Sequence, residues 1–116
     1  MNKRIRLTII VSAPNFPYSD TLNWLSPKLG QLFAGACCQK IDGIWSEDGE
    51  HEKPLYTIGK QEKGMKIVLS ITPEKQGIAK KNIRQLLQKL KEELNLPIFW
   101  VHLEQEEITA HHFKLL

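Results

Sequence analysis

The fold of this chain is best predicted from residues 65–103, which read MKIVLSITPEKQGIAKKNIRQLLQKLKEELNLPIFWVHL. A helix start stands at Thr72, Pro73 and Glu74: threonine is a common N-cap, proline fits the first helical position, and a carboxylate favours the positive end of the helix dipole. Leucine and isoleucine then recur every three or four residues until Pro97 ends the helix. We therefore predict a strand over 65–71, a helix over 73–94 and a strand over 97–103.

The rest of the chain extends this pattern. Residues 4–11 are rich in β-branched side chains and predict a strand. Ser19 or Asp20 is placed to cap a helix that is short or broken, because Pro27 interrupts it before Phe33. Further strands are predicted over 36–45, 55–58 and, at an edge, 108–113. The order β-α-β-β-β-α-β, with or without this last edge strand, predicts an α+β sandwich of ferredoxin-like type: a mainly antiparallel sheet of four to six strands with two helices on one face.

Composition predicts a single domain over residues 1–116. The chain has 41% hydrophobic and 25% charged residues, which is ordinary for a globular domain and excludes extensive disorder. No run approaches the roughly 20 apolar residues of a membrane span. Its two cysteines, Cys37 and Cys38, are adjacent and cannot join distant parts of the fold, so we expect reduced thiols and a cytoplasmic location without membrane partners.

Charge is distributed in blocks of alternating sign. Residues 1–40 carry five basic and one acidic residue (+4), and residues 41–62 carry two and six (−4). Residues 63–94 then carry eight and three (+5), and residues 95–116 one and three (−2). Such blocks predict either a surface with two faces or copies of the chain that pair through opposite charges.

The chemically densest segment runs from Gly43 to Tyr56. It holds Glu50, His51 and Glu52 between the aromatic residues Trp45 and Tyr56, and carboxylates with imidazole are the usual groups for acid–base catalysis. Asp48-Gly49 is also a strong hairpin-turn dipeptide, and charged residues at a hairpin tip stay solvated at no cost. Two interpretations follow, a solvated hairpin tip and a catalytic site with Glu50, His51 and Glu52 as candidates; we favour the hairpin tip.

The predicted strand over 97–103 is apolar on both sides. Ile98, Trp100 and His102 would face one way and the residues between them the other, and a strand apolar on both faces is usually buried on both. A second copy of the chain or a ligand is the simplest cover for the second face, so we predict a homodimer. The candidate ligand-binding residues are Trp45, His51, Tyr56, Trp100 and His102.

No metal site or cofactor is predicted. His102, His111 and His112 are candidate ligands, but neighbouring residues on a strand face opposite ways, so His111 and His112 do not readily share one ion. Cys37 and Cys38 have no histidine nearby in sequence to activate them as nucleophiles, and we expect inert thiols.

Three functions remain in order of preference. The first is a dimeric module without a catalytic motif that binds a small molecule or a protein. The second is a small enzyme performing proton transfer or hydrolysis with Glu50 and His51 in a pocket of Trp45 and Tyr56. The third is nucleic-acid binding through the basic face of the 73–94 helix, although the aromatic pair and glycine-rich signature of RNA-recognition modules are missing.

Overall fold

The computed structural model of this chain describes residues 2–116. Four strands and two helices make up the fold, and a short 3₁₀ turn precedes the second helix. The strands are β1 (Lys3–Ser12), β2 (Cys37–Trp45), β3 (Lys60–Ile71) and β4 (His102–Thr109). The helices are α1 (Tyr18–Phe33) and α2 (Gln76–Glu93), with the 3₁₀ turn over Pro73–Lys75.

The strands form one antiparallel sheet in the order β2-β3-β1-β4. The two central strands, β1 and β3, pair directly, and β2 and β4 are the edges. This order, with a helix in each of the β1-to-β2 and β3-to-β4 connections, is that of the ferredoxin-like sandwich. The predicted α+β class is confirmed, with β-α-β-β-α-β in place of β-α-β-β-β-α-β.

The core lies between one face of the sheet and the helices. The odd-numbered residues from Ile5 to Val11 in β1 and from Met65 to Ile71 in β3 are apolar and buried, and they stand opposite one another, as in the pair Leu7 and Leu69. Even-numbered residues of both strands point to the other face, which no helix covers; we call it the open face. The helices contribute Leu25, Leu29, Ala79, Ile83, Leu86, Leu87 and Leu90 to the core.

The two helices begin differently from expectation. Ahead of α2, the carbonyl of Thr72 accepts a hydrogen bond from the Lys75 N–H at 3.0 Å, but its side chain makes no capping bond. α1 begins at Tyr18 and continues through Pro27 to Phe33, so the expected break is wrong. Its first turn is closed by the Thr21 hydroxyl, which donates to the Pro17 carbonyl at 2.7 Å.

Two of the predicted strands are placed incorrectly. Residues 55–58 lie in the loop between β2 and β3 and pair with nothing in the sheet. The last strand covers 102–109 rather than 97–103, and no separate strand covers 108–113. The reason is spatial: α2 ends in the helix layer, so residues 96–101 are used to cross to the sheet edge, with Ile98 buried on the way.

The molecule is longer than a compact domain of its size. Its radius of gyration is 15.7 Å, and its longest axis is 50 Å, against an expected radius of about 13 Å. The extension is the outer part of the β2–β3 hairpin with its loop, residues 41–62, which we call the arm. On the helix side of the arm, Asp42 and Ile44 are exposed because no helix covers them. Within residues 2–116, no helix is long and apolar enough to cross a membrane.

A matched pair of isoleucines on α2 tests this core. Ile83 is buried and Ile78 is exposed. We expect Ile83→Ala to lower the free energy of unfolding by about 2–5 kcal/mol, because it leaves a cavity between helix and sheet. Ile78→Ala is expected to change it by no more than about 0.5 kcal/mol. Chemical denaturation of both variants measures the difference, and equal losses would contradict the assigned face of α2.

Candidate functional site

The loop of the arm, residues 46–59, begins with a tight turn. The Gly49 N–H donates to the Ser46 carbonyl at 3.2 Å, so the turn spans residues 46–49 with Glu47 and Asp48 at its centre, one residue earlier than the predicted Asp48-Gly49 tip. This turn does not close the hairpin directly, because the chain continues for ten further residues before β3 begins at Lys60. The loop is therefore a distinct structure at the end of the arm.

Asp48 organises this loop. Its Oδ1 accepts hydrogen bonds from the backbone N–H of Thr57 at 3.2 Å and from the Thr57 hydroxyl at 3.0 Å. Its Oδ2 lies 2.7 Å from Lys53 Nζ. The Lys53 ammonium first, and then the Thr57 N–H, lower the pKa of Asp48 to about 2. The Asp48 carboxylate thus connects the turn to two later parts of the loop, at Lys53 and Thr57.

Two further hydrogen bonds complete the loop. The Ser46 hydroxyl donates to the Thr57 carbonyl at 2.6 Å, and the Lys53 N–H donates to the Tyr56 hydroxyl at 3.0 Å. Sequence analysis placed Asp48 in a turn and did not identify Lys53 or Thr57 as its partners. Nothing in the sequence indicates that Asp48 binds a residue nine positions away.

The candidate catalytic residues are open to water. His51 Nε2 lies 3.6 Å from Glu50 Oε1, so these two side chains do meet, but they are 76% and 52% exposed. Glu52 is also exposed. Catalytic acid–base pairs usually lie in a site from which water is excluded. The arrangement is a solvated carboxylate–imidazole contact rather than an enclosed site.

Trp45 and Tyr56 have separate surroundings. Trp45 lies on the open face, and its indole folds back over Gly43, occupying the space that a Cβ at position 43 would take. The hydroxyl of Tyr56 is held within the loop by Lys53. Both rings are partly exposed. Each aromatic residue is therefore accounted for by a local contact.

The most exposed apolar side chains of the arm are Ile44, Leu55 and Ile58, at 69%, 85% and 91%. We call these three residues the apolar tip. Ile44 lies against Gly59, where its Cγ2 would be 2.8 Å from an added Cβ. Because Asp48 fixes the loop, these side chains project from an ordered backbone. Full burial of such side chains is worth roughly 1.5–3 kcal/mol each, so the tip is a strong candidate for contact with another molecule.

The other two candidate ligand-binding residues lie at the opposite edge of the sheet. Trp100 precedes β4, and His102 begins it, opposite Ile10. His102 Nε2 lies 3.0 Å from Glu104 Oε2 on the same face. Since β2 and β4 are opposite edges, the structure does not bring Trp100 and His102 together with Trp45, His51 and Tyr56.

The open face is largely polar. Arg6 pairs with Glu106 at 2.7 Å, and the Ser12 hydroxyl donates to Glu62 at 2.6 Å. The central strands present no aromatic residue here; their open-face side chains include Thr8, Ile10, Lys66 and Val68. A base-stacking platform of the RNA-recognition type needs aromatic residues at such positions. The side chains of the open face are therefore mostly polar, and they do not require the second copy or ligand that the sequence analysis expected to cover an apolar face.

The histidines and cysteines do not converge. Within residues 2–116, no group of three or more His, Cys, Asp or Glu side chains is placed to hold a metal ion. His111 Nδ1 instead lies 3.2 Å from Asn2 Nδ2, and His112 is exposed. Cys38 lines a cleft of about 260 Å³ between α1 and β2, and burial, followed by the neighbouring Cys37, raises the pKa of its thiol.

No protein-family model matches this chain, and no curated protein matches it significantly. The arm is consequently identified as the candidate site by its own geometry: exposed apolar side chains, an ordered loop and a surplus of carboxylates.

The pKa of Asp48 provides a test of the loop. A pKa of about 2, below the usual value of about 3.9 for aspartate, means that the carboxylate stabilises the loop fully above about pH 4 and loses this effect as the pH falls through about 2. We expect the Thr57 amide resonance to titrate with a midpoint near pH 2, and Asp48→Asn to abolish this titration and speed amide exchange across residues 46–59.

Glu47→Gln is the matched control, because Glu47 pairs only with Lys60 at 3.3 Å and does not contact Thr57. This variant should leave the Thr57 titration unchanged. A wild-type midpoint near pH 4 would show that Asp48 does not hold the loop.

Proposed function

We propose that this protein is a binding module without catalytic activity, and that it binds a protein partner through the apolar tip of its arm. The observation that most directly supports this proposal is the exposure of Ile44 at the end of β2 and of Leu55 and Ile58 on the ordered loop that follows. Monomeric proteins rarely leave large apolar patches in water, and those that do usually present a binding surface.

The loop is suited to binding because its order does not depend on the partner. Asp48 and its two partners, Lys53 and Thr57, hold the backbone in place. The loop is therefore already ordered before association, so binding does not incur the entropy cost of ordering a flexible loop. An apolar tip on a fixed backbone gains most of the free energy of its burial.

A protein partner is better supported than a small molecule. Two surface clefts, with volumes of about 340 and 260 Å³, lie on the outer side of α2 and beside Cys38. Neither is lined by Trp45, His51, Tyr56, Trp100 or His102. Small-molecule sites are usually concave and of about 300–1,000 Å³. A projecting, convex arm instead suits insertion into the surface of another protein.

The acid–base alternative is less well supported. Glu50 and His51 are in contact, but both side chains are exposed to solvent. The Tyr56 hydroxyl accepts a hydrogen bond from the Lys53 N–H. The pocket of Trp45 and Tyr56 on which that alternative depends would need the two rings on one side of the loop.

The proposal also includes the domain organisation, the location and the oligomeric state of the protein. Residues 1–116, of which Met1 lies outside the described range, would act as one domain, because a single core joins the sheet and both helices. A cytoplasmic location is supported by the free cysteines Cys37 and Cys38. A homodimer is the form of partnership that the alternating charge blocks favour.

Site-specific photo-crosslinking tests the binding role of the arm. A photoreactive amino acid at position 55 should yield an adduct with a protein in cells, and the same residue at position 31, exposed on α1, should yield none. Adding Ile44→Thr and Ile58→Thr should abolish the adduct without lowering thermal stability appreciably, because both side chains lie outside the core. Equal labelling from both positions, or none from position 55, would overturn the proposal.

A further inference from the structure

A second exposed apolar segment lies at the other edge of the sheet. Phe99 and Trp100 are 80% and 75% exposed, in the stretch that crosses from α2 to β4. Lys91 joins this segment to α2: its Nζ lies 4.4 Å from the centroid of the Phe99 ring and donates to the carbonyl of Ile98. The Phe99 ring is therefore held beside a basic residue of α2, and the exposed Trp100 follows it in the chain.

The basic residues of α2 continue this surface. Arg84 and Lys80 precede Lys91 by seven and eleven residues, so they lie on the same side of the helix. Within the described residues, no carboxylate forms a salt bridge with any of the three. We call Lys80, Arg84, Lys91, Phe99 and Trp100 the basic–aromatic surface.

The arm carries the complementary chemistry. Three of its carboxylates, on Asp42, Glu47 and Asp48, are paired with lysines. Glu50 and Glu52 have no lysine or arginine partner in the described part of the chain, and they lie in the same loop as Leu55 and Ile58. The tip thus combines exposed aliphatic side chains with uncompensated carboxylates, while the basic–aromatic surface combines exposed rings with uncompensated cations.

Within one molecule these two features are kept apart. The arm extends from the β2 edge, and Phe99 and Trp100 precede β4 at the opposite edge, with β1 and β3 between them. Neighbouring strands are about 4.8 Å apart, so the two edges are separated by roughly 14 Å before the outward reach of the arm is added. Contact between the arm and the basic–aromatic surface therefore requires two molecules.

We propose that the partner of the arm is a second copy of this chain, whose basic–aromatic surface receives the apolar tip together with Glu50 and Glu52. This inference rests on the proposed function of the arm. Reciprocal docking, with each arm on the other copy, closes the assembly as a symmetric dimer with two equivalent interfaces. Apolar burial supplies most of the affinity, and the charges orient the two copies.

Light scattering and sedimentation of the purified full chain over a range of concentrations test this interface. We expect a dimer at low salt that dissociates more readily at high salt, because the paired charges are exposed. Arg84→Glu, and Glu50→Lys with Glu52→Lys, should each weaken the dimer roughly tenfold. Combining Glu50→Lys and Glu52→Lys with Lys80→Glu and Arg84→Glu in one chain should restore association, because the tip is then positive and the basic–aromatic surface carries a net negative charge. Leu55→Ser and Trp100→Ser should each dissociate it.

Lys89→Glu is the matched control, because Lys89 is also exposed but lies about 140° around the α2 axis from Arg84, across a cleft that both residues line. It should leave the dimer intact; dissociation equal to that of Arg84→Glu would overturn the inference. A chain that stays monomeric, or a dimer insensitive to the tip and charge variants, would also overturn it.

The two proposals fail separately. Crosslinking from position 55 to a different protein, with a purified chain that is monomeric, would leave the proposed function standing and remove the second copy as partner. Binding of a single-stranded oligonucleotide by a monomeric wild-type chain, lost in Arg84→Glu and Trp100→Ser, would assign the basic–aromatic surface to nucleic acid and overturn the inference.

Discussion

The register between β1 and β3 determines the rest of this structure. Ile5, Leu7, Ile9 and Val11 stand opposite Ile71, Leu69, Ile67 and Met65, so these eight apolar side chains point toward the helices. A shift of one residue would turn one strand's apolar side chains to water. At the end of this ladder the backbones approach closely: a Cβ on Gly64 would overlap the carbonyl of Val11, so glycine fits where a larger residue would not.

This central pair also explains where surface is left for binding. β1 and β3 each have two neighbours in the sheet and a helix layer above them, whereas β2 and β4 have one neighbour each. Beyond the reach of the helices, the arm has no apolar core and is ordered by polar contacts around Asp48. The core that stabilises the fold and the surface of the proposed binding are therefore different parts of the chain, and the side chains of the tip lie outside the core.

The sequence predicted most of the fold because its central elements have strong local patterns. The α2 helix and the β1 and β3 strands combine regular apolar spacing with burial, so propensity and packing agree. The position predicted for the last strand was wrong because propensity and packing disagree in that part of the chain. Residues 97–101 are apolar and aromatic, yet only Ile98 is buried, while the acid-rich segment from His102 to Thr109 pairs with β1. The position of this strand is determined by its pairing with β1 at the edge of the sheet, which the periodicity of the sequence does not indicate.

The candidate site was predictable in its position but not in its construction. Sequence analysis identified the acidic segment with Trp45 and Tyr56, and the structure places it on the projecting arm. The link between Asp48 and Thr57 depends on the path of the loop and has no sequence signature. Because Asp48 is bonded to Lys53 and Thr57 within the loop, the negative charge that has no lysine or arginine partner lies on Glu50 and Glu52. The chain therefore carries exposed carboxylates on the arm at one edge of the sheet and unpaired cations on α2 toward the other, which is the charge complementarity that the proposed pairing of two copies requires.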